Sequence, residues 1–286
     1  MFRRVIKLIY NFLKILDKII SFFSKDFQFL LSIKELIEVH SYKKVKILNK
    51  NINFFVPNKE VNLRVKRLFT KEPETINWIN NFKNNSNIIF WDIGANIGQF
   101  SIYAASIHKN IKVISFEPST SNLRVLSRNI SINKFDDVIL INQFPLTNKQ
   151  NCYLKLNENK FQEGSALNAF GVEFDHNGNL FNPQNSYKIY GTSINYILKN
   201  NFLEIPDYIK IDVDGVEHLI LQGGNDFLSH KKIKSILIET NEKFFYQKNK
   251  VNEILTKNNF KLLTSHPSSN SRHTNILSSK NYIFTK

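Results

Sequence analysis

Ile88-Ile-Phe-Trp-Asp92-Ile-Gly94-Ala-Asn96-Ile-Gly98-Gln-Phe100 is the stretch on which the fold turns. An apolar, β-prone run enters a turn carrying two glycines, and a helical pattern continues from about Gly98 to His108. Gly94 and Gly98 permit a tight turn and a close approach of ligand to backbone, and the new helix offers unpaired N–H groups. As a dinucleotide fingerprint the pattern is poor, because Asn96 and Gln99 stand where further glycines belong. Asp92 at the strand end suits a cationic amino group or an ordered water near the turn.

Working outward, the same alternation of strand and helix recurs. Lys112 to Phe116 reads as a strand, Ser119 to Asn133 as a helix and Val138 to Asn142 as a strand. Tyr208 to Val213 and Ile233 to Glu239 repeat the pattern around a helix starting near Gly215. Such alternation predicts an α/β fold with a mostly parallel sheet and crossover helices. Phe260 to Ser265 and Tyr282 to Thr285 close it as an antiparallel hairpin across a Ser/Asn-rich loop. Upstream, Val45 to Leu48 and Ile52 to Val56 form a hairpin turning at Asn49 to Asn51, and a helix covers Glu74 to Phe82. Leu146 to Pro206 breaks the rhythm; strand-like pieces at Cys152 to Leu156 and Tyr187 to Tyr190 make it an insertion of β character. The expected organisation is an arm over residues 1–42 and an α/β domain over 43–286, with the insertion at about 146–206.

Composition narrows the function. The 286 residues carry 39 Lys+Arg against 24 Asp+Glu, a net charge of +15. Only 7 of the 39 basic residues are Arg, however, and specific base and phosphate recognition favours the Arg fork, which speaks against nucleic acid as partner. A 42% hydrophobic share supports a packed core. The single cysteine, Cys152, excludes an intrachain disulfide and a Cys-rich zinc site and fits a reducing, cytoplasmic compartment.

In the arm, Lys7, Asn11, Lys14, Lys18, Ser21 and Lys25 recur at steps of four and three within an otherwise apolar run from Val5 to Phe23. On a helix this gives a narrow polar stripe beside a broad apolar face. The lysines and Asp17 interrupt any run of the ~20 apolar residues needed to span a bilayer. Two readings stay open: an in-plane helix on an anionic membrane surface, peripheral on its inner face, or a helix packed on its own domain or in a homodimer.

Two further motifs lie at expected strand ends. Glu117, in Phe116-Glu117-Pro118, falls 19 positions after Gly98, where a carboxylate can accept hydrogen bonds from both ribose hydroxyls of a nucleoside; the plainer reading is a helix-start residue ahead of Pro118. Tyr208-Ile-Lys210-Ile-Asp212-Val-Asp214-Gly215-Val-Glu217-His218 concentrates acids at a strand tip, with alternation placing Lys210, Asp212 and Asp214 on one side. A helix N-terminus accounts for Asp214 and Glu217 but less well for Asp212.

Asp92-Ile-Gly-Ala-Asn-Ile-Gly98, Phe116-Glu-Pro118, Ile209-Lys-Ile-Asp-Val-Asp-Gly-Val-Glu217 and Leu237-Ile-Glu239, in that order, resemble the FkbM-type family of S-adenosylmethionine-dependent methyltransferases, over about Glu72 to Leu277 and with the lead-in Lys71-Glu-Pro-Glu-Thr75. The resemblance implies a Rossmann-like methyltransferase sheet and O-methylation of a sugar or other hydroxyl-bearing substrate, such as a glycan or lipid-linked saccharide. It further implies that Asp92, Gly94, Asn96 and Gly98 flank the methionine part of S-adenosyl-L-methionine, that Glu117 meets the ribose and that Asp212 lies near the transferred methyl. Asp214 stands where the family often has Glu, and Asn195 where it tends to have Asp.

In methyl transfer the cofactor supplies the leaving group and the protein aligns the nucleophile. Asp212 is the first candidate for the base that takes the hydroxyl proton and His218 the second; Asp214 belongs to the same catalytic group. A divalent metal held by Asp212, Asp214 or Glu239 is the alternative activator. Gln162, Ser165, Asn168 and Asn195 are candidate hydroxyl partners in the insertion. A noncatalytic nucleoside-binding or membrane-recruited scaffold with the same fold is the competing class.

Overall fold

The computed structural model describes residues 2–83, 87–267 and 279–286. The arm is two helices, α1 (Phe2–Phe23) and α2 (Phe29–Val39), packed on each other. A hairpin follows, β1 (Tyr42–Ile47) and β2 (Lys50–Phe55), joined through Leu48 and Asn49 with Leu48 in the left-handed region at φ 51°. Two short helices lead into the domain. The first, α3 (Lys59–Lys66), starts where the Asn58 side chain accepts the Val61 N–H at 2.9 Å. The second, α4 (Pro73–Asn80), has proline at its first turn, where no N–H partner is needed. Sequence periodicity finds α4 but misses α3, whose eight residues bury only Val61 and Val65.

The doubly wound part runs β3 (Ile88–Ile93), α5 (Gln99–Ile107), β4 (Ile111–Phe116), α6 (Thr120–Ile132) and β5 (Ile139–Asn142). A separate three-stranded sheet then forms from β6 (Cys152–Glu158), β7 (Ala169–Phe170) and β8 (Asn185–Gly191), paired antiparallel in the order β7-β6-β8. The chain returns through α7 (Ile194–Lys199) to β9 (Tyr208–Ile211), α8 (Glu217–Gln222), α9 (Asn225–Leu228), β10 (Ser235–Asn241) and α10 (Phe245–Lys257). It finishes with the hairpin β11 (Lys261–Pro267) and β12 (Ser279–Thr285). The Ser/Asn-rich loop expected between them lies, over 268–278, outside the described residues.

The main sheet has the order β11-β12-β10-β9-β3-β4-β5, parallel throughout except for β12, which runs antiparallel to both β10 and β11. This is the mostly parallel sheet with a C-terminal antiparallel hairpin that the alternation predicts. All six residues of β3 and all four of β9 are buried, as strands covered on both faces must be. Their side chains alternate between two cores. Ile88, Phe90, Val113, Ile139 and Tyr208 face α4, α5, α6 and the β1–β2 hairpin. Ile89, Trp91, Ile114, Ile209 and Ile211 face α7, α8 and α10.

One boundary needs correction. The insertion of β character occupies residues 152–191, whereas Ile194–Lys199 is a helix: Ser193 caps α7 by accepting the Tyr196 N–H at 3.2 Å, and Ile194, Ile197 and Leu198 pack into the second core. The stretch therefore ends as a crossover helix of the parent fold. Asn195 sits in the first turn of α7 and not in a strand; its N–H donates to Gly223 and its Oδ1 accepts from Asp226 N–H.

Candidate active site

The order of strand addition reverses at β3, which lies parallel between β4 and β9, and the carboxyl ends of these strands form the crevice where such sheets bind ligands. The β3–α5 turn is built for its neighbours. At Gly94, φ +83°, a Cβ would overlap the Asp212 carbonyl; at Gly98, φ +81°, it would run into the Leu126 side chain. Gly94 is therefore demanded by backbone packing as well as by its positive φ, and Gly98 by its positive φ, since the Leu126 side-chain tip can give way. The Gly94 and Ala95 N–H groups donate to the Phe116 carbonyl, which locks the turn onto the end of β4.

Asp92 is fully buried beneath this turn and does not line the crevice. Strand register explains its partners: Lys210 of β9 and Ser115 of β4 lie directly beside it on the same face. Ser101 Oγ donates to Asp92 Oδ2 at 2.6 Å and stands 2.8 Å from Ser115 Oγ. The Lys210 ammonium is 3.9 Å from Asp92 and 2.9 Å from Asp212. Burial alone would discharge Lys210, but those two carboxylates hold its pKa above the ordinary lysine value.

Asp212 rims the crevice. Burial would raise its pKa, yet the Lys210 and Lys71 ammoniums pull it down to about 2. Its carboxylate lies with those of Glu72 and Glu239 in a group whose oxygens fall within 4.8 Å of one another, the spacing a shared cation requires. Lys71 pairs Glu72 at 2.6 Å, so two of the three carboxylates already have an ammonium. Burial, then the Asp212 charge, push Glu239 well above the ordinary carboxylate range. Of the metal candidates read from the sequence, Asp212 and Glu239 thus come together, and Asp214 does not. Glu72, visible beforehand only as part of the Lys71-to-Thr75 lead-in, completes the group.

Asp214 breaks the expected alternation because β9 ends at Ile211 and Asp214 adopts φ +62°. Its carboxylate turns to the insertion and accepts the Leu167 N–H at 2.7 Å. Glu217 is buried, accepting from the Val213 and Gly215 N–H groups and from Gln247; burial pushes it up to about 8. His218 is buried too, with ring centroids 6.1 Å from Phe244 and 5.6 Å from Tyr246. Burial pulls its pKa down to about 4, leaving a neutral ring packed among aromatics and outside the carboxylate group.

Glu117 ends β4 facing the turn. It accepts the Asn96 N–H at 2.7 Å and the Ser119 N–H at 2.9 Å, so the helix-start role is real. Burial pushes its carboxyl up to about 7 against those donors. Two buried polar atoms beside it have no partner, Asn96 Oδ1 and Asn142 Nδ2, an acceptor and a donor left for something else. The insertion closes over this turn: Ser165 C=O accepts from the Asn96 and Asn122 side-chain amides, and Gly164 C=O accepts from Arg64 Nε at 2.6 Å.

Two clefts share Gly94. The first is apolar, lined among others by Phe116, Pro118, Pro145, Leu146, Phe170 and Val216, with Asn168 at its edge. The second is charged, lined by Arg64, Arg67, Lys71, Glu72, Asn96, Gln99, Lys210 and Asp212. Of the candidate hydroxyl partners, Asn168 reaches a cleft and Ser165 is tied over the turn. Asn195 is held on the Gly223-to-Asp226 turn. Lys71 is marked in the sequence by the lead-in before α4, whereas nothing in their spacing marks Arg64 of α3 or Arg67 just after it.

A sequence comparison with curated proteins finds no match. Among solved structures the chain is similar to magnesium protoporphyrin IX methyltransferase from Synechocystis PCC 6803 with bound SAM, at 12% identity and TM-score 0.45 over 80% of this chain and 84% of that one. It is also similar to M. jannaschii TYW2 in complex with AdoMet, at 14% and 0.42 over 86% and 87%. A third likeness is to precorrin-6y C5,15-methyltransferase from Geobacter metallireducens GS-15, at 13% and 0.43 over 77% and 92%. Residues 92–283 match the model of the methyltransferase FkbM domain, which takes in the end of β3 from Asp92, both Gly94 and Gly98, Glu117, the acids after β9 and Glu239. The chain belongs to the FkbM methyltransferase family, whose members use S-adenosylmethionine.

Proposed function

We propose that the protein is an S-adenosylmethionine-dependent O-methyltransferase acting on a hydroxyl of a glycan or lipid-linked saccharide, peripheral to a membrane. The observation that carries this reading is the carboxylate group Glu72, Asp212 and Glu239, which gathers the start of α4, the end of β9 and β10 beside the turn that the two clefts share. The residues fit the cofactor. The apolar cleft suits an adenine ring, Glu117 suits the ribose hydroxyls, and the orphaned Asn96 Oδ1 and Asn142 Nδ2 offer polar contacts on either side. Arg64, Arg67 and Lys71 supply positive charge for a carboxylate in the other cleft. The cofactor, when bound, supplies an activated methyl group and its own leaving group.

The chain's residues then have to align a hydroxyl and take its proton. Asp212 is too acidic to be an effective base at neutral pH, but as a permanently charged acceptor it can hold and orient the hydroxyl. Glu239 stands in the same carboxylate group, and in its ionised form it is the stronger proton acceptor of the two, because burial and the Asp212 charge raise its proton affinity. Asp214 acts indirectly by anchoring the insertion at Leu167, and the insertion covers the site. A divalent ion on the three carboxylates is the competing means of activation, and a chelator added to the assay separates the two.

The test is mass spectrometry of cell-surface glycans with and without the gene, followed by in-vitro transfer of labelled methyl to the glycan that changes. One methyl ether lost from a sugar in the deletion, restored by the wild type but not by Asp212→Asn, is the expected result. Label arriving on an amine or on carbon would overturn the O-methyl assignment. Binding of S-adenosylmethionine with no transfer to any acceptor would favour the scaffold.

A further inference from the structure

Helix α1 buries none of its residues. Helix α2 covers only one flank of it: Leu13, Leu16, Asp17 and Ile20 are partly shielded, and the Asp17 carboxylate accepts the Leu30 N–H at 3.0 Å. A second row, Val5, Leu8, Phe12, Ile15, Ile19 and Phe22, advances by three and four residues along the other flank. All six are exposed, from 45% for Val5 to 81% for Phe22. No helix among the described residues is long and apolar enough to cross a membrane. An apolar row of this length needs a cover that the described residues of the domain do not provide.

Charge decides which cover fits. Arg3, Arg4, Lys7, Lys14 and Lys18 share the polar stripe, and the helix's one acid, Asp17, is engaged by α2. A second copy of α1 laid along the same row would bring cations near cations with no acid to answer them. An anionic lipid surface satisfies both features, taking the apolar row into its headgroup boundary and the cations at its phosphates.

The arm is also tied to the rest of the molecule at a defined place. Glu38 at the end of α2 pairs with Arg124 at 2.6 Å and Arg128 at 2.7 Å on α6, and Arg124 pairs in turn with Glu163 of the insertion at 2.9 Å. One arginine thus joins the arm to the loop that covers the candidate site. We infer that α1 is an in-plane docking helix for an anionic bilayer, and that the Glu38–Arg124–Glu163 relay sets the insertion beside the lipid surface. The docking stands on the arm alone; delivery of a lipid-linked acceptor rests on the transferase reading above.

The test is flotation of the full chain with vesicles of phosphatidylglycerol and phosphatidylcholine, against phosphatidylcholine alone. Circular dichroism checks that each variant is folded. The wild type is expected to float with the anionic vesicles and to be released by high salt. Phe12→Asp/Ile15→Asp should remain in the soluble fraction, and Lys7→Glu/Lys14→Glu/Lys18→Glu should lose about a hundredfold or more in partitioning. A wild type that stays soluble, or variants that float equally well, would overturn the inference. So would a dimer in sedimentation that Phe12→Asp/Ile15→Asp splits. Flotation is read without methyl transfer, so its failure is distinct from failure of the enzymatic reading.

Discussion

Replacing Glu117 by Gln tests the ribose assignment with little change of shape. Glu117 Oε2 takes the Asn96 N–H, and Oε1 takes the Ser119 N–H with the Asn122 amide at a long 3.4 Å, so one ribose hydroxyl meets a free lone pair on Oε2 and the second takes the place of the Asn122 contact on Oε1. A charge-assisted bond contributes ~1.5–3 kcal/mol and a neutral one ~0.5–1.5, so two such bonds made neutral lose about 2 kcal/mol, or roughly thirtyfold in affinity. The proton adds a second signature. Burial sets the Glu117 pKa at about 7, and the ionised form is the better partner for two hydroxyls. About a tenth is ionised at pH ~6 and about nine tenths at pH ~8, so wild-type affinity should climb roughly tenfold across that window and then level off. Folding stability follows the opposite sense. The Glu117 pKa lies above the ordinary 4.5, so the folded state holds the proton longer and loses stability as pH rises from 4.5 through about 7. Calorimetric titration of S-adenosylmethionine at several pH values, beside thermal melts, reads both effects. An affinity within twofold of wild type and an unchanged pH profile in Glu117→Gln would remove Glu117 from the ribose site and leave it as a helix-start acceptor only.

Other substitutions probe the remaining parts. Lys210→Met strands Asp92 and Asp212 without their shared ammonium and should cost about 3–5 kcal/mol in urea denaturation; a loss below about 1 kcal/mol would mean the triad is not a unit. Gly94→Ala forces a Cβ onto the Asp212 carbonyl at positive φ and should abolish soluble folded protein, whereas Ala95→Gly should not; a stable Gly94→Ala chain would refute the packing argument. His218→Phe keeps an aromatic ring against Phe244 and Tyr246 and should leave turnover within a few fold, with improved resistance to acid as the neutral buried imidazole no longer has to charge; a collapse in rate with normal cofactor binding would restore His218 to the catalytic group.

Local pattern was enough for much of this protein. The run from Ile88 to Phe100 already contains a buried strand, a glycine turn and a helix start, because strand burial and positive φ leave their mark on neighbouring residues. The alternation beyond it sets the parallel sheet, and the step-of-seven stripe in residues 5–23 sets an amphipathic helix, now seen as α1. What local pattern does not carry is which residues meet across the fold. Asp92 lies beside Lys210 because β3 and β9 pair in that register, over a hundred residues apart. That pairing draws Asp92 beneath the turn, away from the ligand position its strand-end location suggests. Asp214 looks equivalent to Asp212 by spacing, but a left-handed backbone turns it towards Leu167. Glu72 reaches Asp212 from the start of α4 and Glu239 reaches it from β10, and the raised pKa of Glu239 follows from burial and from that meeting. Ionisation is set by distance and desolvation, which are properties of the packed chain. Element type follows from residues a few positions apart, and the chemistry of the site follows from residues brought together by the sheet.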